Sequence, residues 1–153
     1  MKVVIAPDSF KGSISAKDIC EAIKEGIFAV FPEAEVEAVP LADGGEGTLE
    51  SMVYASDGTF QSVLVRGPMG KEVRAAYGVL GDEETVIIEM AQASGLPLVK
   101  PEERNPYTAS SYGTGQLIKH ALDAGYQRFI IGLGGSATND GGTGMLTALG
   151  VKE

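Results

Sequence analysis

The sequence predicts an α/β protein: a parallel sheet unit comes first, and a second α/β part opens with an antiparallel meander. Three observations predict it. Apolar runs at residues 2–6 and 36–39 flank a segment of helical period, which is the signature of parallel pairing through a crossover helix. From residue 61 to 90 the period changes to two, with turn signals between segments. Each parallel-type strand runs out into a polar loop rich in glycine, and in open α/β sheets ligands collect at the carboxyl ends of strands.

Each element has a local reason. After the first strand, Ser15 and Asp18 have the spacing of a helix N-cap with an acidic N3 residue. Ile19, Ala22, Ile23, Ile27 and Val30 then recur on one helical face until Pro32 closes the helix. The second strand leads through 43–47 to a short helix from Thr48 to Ala55, stopped by Asp57 and Gly58. Residues 61–65, 72–80 and 85–90 form the meander, divided by GPMG at 67–70 and GD at 81–82. Residues 91–107 hold three prolines and few periodic positions, so they read as a connection with one helical turn at most. A helix over 111–124 buries Leu117, Ile118, Ala121 and Leu122; a strand over 128–133 and a last helix over 144–149 follow. Two strands make a marginal sheet, and the chain stops where a further strand would begin, so it is expected to be truncated.

The totals bound the function. The chain has 153 residues, 44% apolar and 22% charged, which suits one ordinary domain's worth of core in a soluble protein. Its 21 glycines are roughly twice ordinary usage and gather in the strand-exit loops. Twelve basic against 21 acidic residues give a net charge of -9, which repels nucleic acid and anionic membrane. Cys20 is alone, so an internal disulfide and a thiolate zinc cluster are excluded, and a reducing cytoplasm is expected. No run of apolar residues is long enough to span a bilayer.

Three loops carry the chemistry. GLGGSATNDGG at 132–142 sheds side chains at the end of an apolar strand yet keeps Ser136, Thr138, Asn139 and Asp140, as an anion or phosphate site would. PDSFKGS at 7–13 places Lys11 beside Asp8, Ser9 and Ser13, where a point charge could hold a phosphate or a carboxylate. PLADGGEGT at 40–48 offers Asp43 and Glu46 around Gly44 and Gly45, carboxylates for magnesium or for drawing a proton from a hydroxyl. Convergence of the three loops on one ligand is the working expectation, with a magnesium-nucleotide complex as the suitable ligand.

Plainer readings stand beside these. Asp43 could simply cap the following helix, Asp140 lies in a tight-turn sequence, and Ser110, Ser111, Gly113, Thr114 and Gly115 open a helix as either an anion site or a packing contact. His120 and Cys20 read as structural residues. Gly132, Gly134 and Ala137 meet a relaxed dinucleotide fingerprint, but Asn139 to Gly142 would break a helix begun there. A P-loop signature is absent.

The motifs PDSFKGS at 7–13, PLADGGEGT at 40–48, SYGTGQ at 111–116 and GLGGSATNDGG at 132–142 closely resemble the N-terminal part of the type 1 bacterial glycerate kinases. The resemblance implies ATP-dependent phosphorylation of a hydroxyl of glycerate, with magnesium, in two α/β domains flanking a cleft. It implies a Rossmann-like, flavodoxin-like first domain that is discontinuous and begins with residues 1–58, and a second domain begun by residues 59–153. Within that frame Lys11, Asp43 and Asp140 are the expected catalytic residues, with Asp43 and Asp140 also as metal ligands. Asp8, Ser9, Gly44, Gly45, Glu46, Gly134, Gly135, Ser136, Thr138 and Asn139 are the expected binding residues. The competing expectations are an NAD(P)-dependent oxidoreductase using the Gly132 fingerprint, and a non-catalytic fragment that binds a ligand or joins copies of itself through unpaired sheet edges.

Overall fold

A computed structural model describes residues 1–10 and 13–152. The chain divides into two compact units, Met1–Asp43 and Gly44–Glu153.

In the first unit, β1 (Lys2–Ile5) and β2 (Glu35–Ala38) pair in parallel, with Lys2 opposite Glu35 and Ile5 opposite Ala38, and α1 (Ala16–Val30) makes the crossover. The predicted cap forms in both directions: the Asp18 amide donates to Ser15 Oγ at 3.1 Å, and that hydroxyl donates to the Asp18 carboxylate at 2.7 Å. α1 turns Ala16, Ile19 and Cys20 inward with Ile5. Burial, aided by the charge of Glu21, pushes the Cys20 thiol up, so it stays an unreactive core residue as expected.

The second unit holds α2 (Thr48–Ala55), β3 (Thr59–Arg66), β4 (Glu72–Val79), β5 (Thr85–Glu89), α3 (Ala91–Ser94), α4 (Tyr112–Asp123), β6 (Arg128–Gly132) and α5 (Thr143–Ala148). Its sheet runs in the order β3-β4-β5-β6; the first two pairings are antiparallel and β5 pairs with β6 in parallel. Val86, Ile87 and Ile88 of β5 are all fully buried because both faces of the strand are covered. On one face Val86 and Ile88 join Tyr77, Leu117, Ile118 and Ala121 in the main core, against which Met145 and Leu149 also pack. On the other, Ile87 packs with Leu49 and Val53 of α2.

That second face places α2 with the strands that follow it. The compact units divide at Asp43, and α2 packs on β4 and β5. Gly78 makes this close: a Cβ there would sit 2.8 Å from Ile87 Cγ2 and 3.0 Å from Leu49 Cδ1. The proline-bearing 91–107 stretch holds α3 and two 3-10 turns, at Leu96–Leu98 and Pro101–Glu103, somewhat more structure than its weak periodicity predicts. His120 is exposed on α4, with its Nδ1 3.2 Å from the hydroxyl of buried Tyr77. Among the described residues no helix is long and apolar enough to cross a membrane.

Candidate functional site

The parallel pair β5 and β6 ends with Glu89 opposite Gly132, so the loops leaving both strands emerge at one edge of the sheet. They are stitched together. The Met90 amide donates to the Gly132 carbonyl at 3.1 Å, the Leu96 amide to the Gly135 carbonyl at 2.8 Å, and the Ala137 amide to the Ser94 carbonyl at 2.9 Å. Three bonds of this kind fix the 132–137 backbone to rigid neighbours, as an anion-binding loop requires.

The Gly44–Gly47 segment lies against the same loop. A Cβ on Gly132 would sit 2.8 Å from the Gly44 carbonyl oxygen, and one on Gly134 would sit 2.5 Å from the Gly45 Cα. Only glycines allow that backbone-to-backbone approach. The segment then enters α2, with the Gly44 amide donating to Thr48 Oγ1 at 3.1 Å. Within the first unit, the earlier part of the same loop runs beside the first strand exit: the Val39 amide donates to the Ile5 carbonyl at 2.8 Å and the Leu41 amide to the Pro7 carbonyl at 2.9 Å.

Asp8 and Ser9 occupy the first exit, where the Ser9 amide donates to Asp8 Oδ1 at 2.6 Å. Lys11 lies outside the described residues. Asp43 is the last residue of the first unit and is followed directly by Gly44, Gly45 and Glu46. Gly134, Gly135, Ser136, Thr138 and Asn139 are held together in the third loop, where the Thr138 amide donates to Ser136 Oγ at 3.0 Å and the two hydroxyls lie 2.9 Å apart. Ser136, Thr138 and Asn139 line a cavity of about 250 Å3.

Asp140 has a different job from the rest. Its Oδ2 accepts the Ser111 amide at 2.8 Å, the Ser111 hydroxyl at 2.8 Å and the Gly144 amide at 3.2 Å, and its Oδ1 accepts the Gly142 amide at 3.1 Å. Burial works to raise this carboxyl, but the donors from Ser111, Gly142 and Gly144 outweigh it and hold the group below the usual carboxylate range. The anion at the start of α4 is thus the chain's own Asp140, which clasps α4 to α5. Ser111 Oγ completes the clasp by accepting the Met145 amide at 3.0 Å. Four donors occupy most of the lone pairs that a base or a metal ligand would need.

Two further residues were not singled out from the sequence. Glu89 is 1% exposed, and its Oε2 accepts the Leu49 amide at 3.0 Å at the start of α2. Burial pushes this carboxyl up; hydrogen bonds from Leu49, Gln92 and Gly47 offset part of the effect, and the neighbouring charge of Glu46 adds to it. Its only sequence signal is a charge ending an otherwise apolar strand. Arg104, on the cavity wall, donates through Nε to the Val99 carbonyl at 3.3 Å.

Among the described residues no group of three or more His, Cys, Asp or Glu side chains is placed to hold a metal. The dinucleotide alternative finds no matching architecture: the helix after the fingerprint begins only at Thr143, and Asp140 fastens its first amides.

The sequence matches the glycerate kinase family over residues 3–153. It is 56% identical over 152 residues to a glycerate kinase of Haemophilus influenzae, covering 99% of this chain and 40% of that one. It is 53% identical over 152 residues to a glycerate 2-kinase of Escherichia coli, again covering 99% of this chain and 40% of the relative. A crystal structure provisionally described as glycerate kinase 2 from Salmonella typhimurium LT2 superposes with a TM-score of 0.86 at 55% identity, over 98% of this chain and 40% of that one. The chain spans about two fifths of the length of the relatives it matches. With the strand order, the stitched glycine loops and the family match in agreement, this chain belongs to the glycerate kinase family.

Proposed function

We propose that this chain forms part of a cytoplasmic kinase that transfers a phosphoryl group from ATP to a hydroxyl of glycerate. The observation that carries the proposal is the packing of Gly44 and Gly45 on Gly132 and Gly134 at the carboxyl end of β5 and β6, in a chain of this family. Phosphoryl transfer needs positioning and charge neutralisation more than covalent chemistry, and rigid loops of exposed amides supply both.

In this reading the amides of 134–136 hold phosphate oxygens, with Ser136, Thr138 and Asn139 as polar neighbours. Lys11, in the PDSFKGS motif at 7–13, supplies a positive charge. Asp43 takes the proton of the attacking hydroxyl, or helps to hold magnesium, and Glu46 stands three residues away with the same chemistry. Asp8 and Ser9 in the first unit, and Gly44 and Gly45 in the second, are binding residues in this reading. Asp140 contributes by holding α4 and α5 beneath the 132–142 loop, which leaves Asp43 as the stronger candidate for proton transfer.

The donor set fits magnesium that arrives with a nucleotide, because this ion keeps several waters and takes only one or two carboxylates besides phosphate oxygens. Bound so, it would neutralise charge on the transferring group. The substrate is a small molecule, and the chain's net charge of -9 opposes nucleic acid and anionic membrane as partners. Association of copies through unpaired strand edges is compatible with this reading.

The test is a coupled ADP-release assay with a panel of hydroxy acids, on the chain and on a version extended to the full length of its relatives. Glycerate-dependent ADP release is expected from the extended version, and Lys11→Ala or Asp43→Asn should lower its turnover about a hundredfold. No release with any hydroxy acid, combined with enhanced NADH fluorescence on titration, would replace the kinase reading by the oxidoreductase one.

A further inference from the structure

We propose that the cavity beside the 132–142 loop binds the carboxylate of the acceptor acid, with Arg104 as the residue that recognises it. The inference rests on the kinase reading above and assigns the acceptor's charged end to a place within it.

Size is the first argument. At about 250 Å3 the cavity falls below the roughly 300–1,000 Å3 typical of sites for drug-sized ligands. It suits a three-carbon acid and not a nucleoside triphosphate.

Charge is the second. Among the described residues lining the cavity, Arg104 is the one charged side chain, and no carboxylate shares the wall. Nearby acids are engaged elsewhere: Glu103 pairs with Lys71 at 2.9 Å, and Asp140 is held by Ser111, Gly142 and Gly144. In a chain of net charge -9 an anionic ligand needs a local cation, and a guanidinium offers a planar fork that matches a carboxylate.

Positioning is the third. Arg104 is exposed to solvent at the cavity, and its Nε donates to the carbonyl of buried Val99 at 3.3 Å, which restrains the side chain and leaves the terminal Nη groups for a ligand. The lining is mixed: Leu96 and Val99 are apolar, and Ser136, Thr138 and Asn139 add hydroxyl and amide groups. A small hydroxy acid presents that combination of a charged head, a short carbon chain and hydroxyls. The same loop then serves two ends of the reaction, its amides at 134–136 toward phosphate and its side chains at 136–139 toward the acceptor.

The experiment compares wild type, Arg104→Gln and Arg104→Lys in the full-length protein, with glycerate and its uncharged analogue glyceramide as acceptors. Losing a hydrogen bond to a charged group should raise KM for glycerate about tenfold to a hundredfold. KM for ATP should stay within about twofold, the preference for glycerate over glyceramide should collapse, and Arg104→Lys should recover part of it. Thr138→Val gives a second probe from the cavity lining, with a smaller rise in KM for glycerate, and unfolding midpoints confirm that each variant is folded.

Unchanged KM values, or a rise in KM for ATP alone, would overturn the assignment. If wild type releases no ADP with glycerate, the kinase reading is the one that has failed. Calorimetric titration with sodium glycerate and sodium lactate then decides the site separately: binding weakened by Arg104→Gln supports it, and equal or no binding overturns it.

Discussion

Two helices of the second unit begin on a carboxylate supplied from elsewhere in the fold, and the two carboxylates titrate in opposite directions. At the start of α4, Asp140 receives four donors and remains partly open to solvent. At the start of α2, Glu89 is enclosed and receives fewer, from Leu49 at 3.0 Å, Gln92 and Gly47. The first is held below its ordinary range and the second is pushed above it. A helix N-terminus alone therefore does not set the protonation of the acid placed on it. The balance of donors against lost hydration does.

The largest expected effect comes from removing the better-served acid. Asp140→Ala leaves the amides of Ser111, Gly142 and Gly144 without their acceptor and should lower stability by about 3 kcal/mol. Urea unfolding checks it, with a lower midpoint at unchanged slope. A loss below about 1 kcal/mol would mean that the clasp is decorative.

Next, Glu89→Ala should cost about 2 kcal/mol by orphaning the Leu49 amide and opening space beside Ile87, while Glu89→Gln, which keeps an acceptor, should lie within about 1 kcal/mol of wild type. The pH dependence separates the two sites further. A depressed carboxyl contributes stability that is present above its unfolded value, about 3.9 for Asp, and is lost as pH falls through its folded value. A raised carboxyl contributes stability that is complete below its unfolded value, about 4.3 for Glu, and is lost as pH rises through its folded value. Asp140→Asn should flatten the acid limb of the stability curve, and Glu89→Gln should flatten the decline on the neutral side. Identical pH profiles for the two variants would break the comparison.

The smallest effect sets the floor. Lys119 and Asp123 pair at 2.8 Å at the opposite end of α4 from the clasp, both exposed, and Lys119→Ala should cost only about 0.3 kcal/mol by the same unfolding measurement.

Much of the fold is legible because periodicity reports burial: the parallel β1–α1–β2 crossover, the meander and the α4–β6–α5 run all form within a residue or two of their expected limits. The packing partner of α2 is not legible, since its sequence reads the same whatever strand it covers; only the tertiary contact of Leu49 and Val53 with Ile87 decides. The glycine loops announce the candidate site because only a close approach needs so many residues without side chains. Arg104 sits in a proline-bearing stretch with no period to reveal which way it faces. Glu89 hides for the opposite reason, since a strand covered on both faces gives no alternation to flag its last side chain as buried. Asp140 was visible, but its turn sequence serves a clasp and a catalytic carboxylate equally well.

The meeting of Gly45 and Gly134 has a consequence for anyone reshaping this pocket. With a Cβ on Gly134 only 2.5 Å from the Gly45 Cα, each loop is the mould in which the other is cast. A side chain introduced on either one must be matched by withdrawal of its counterpart, so libraries that vary the two segments separately will recover mostly misshapen proteins, and productive redesign must mutate them as a pair.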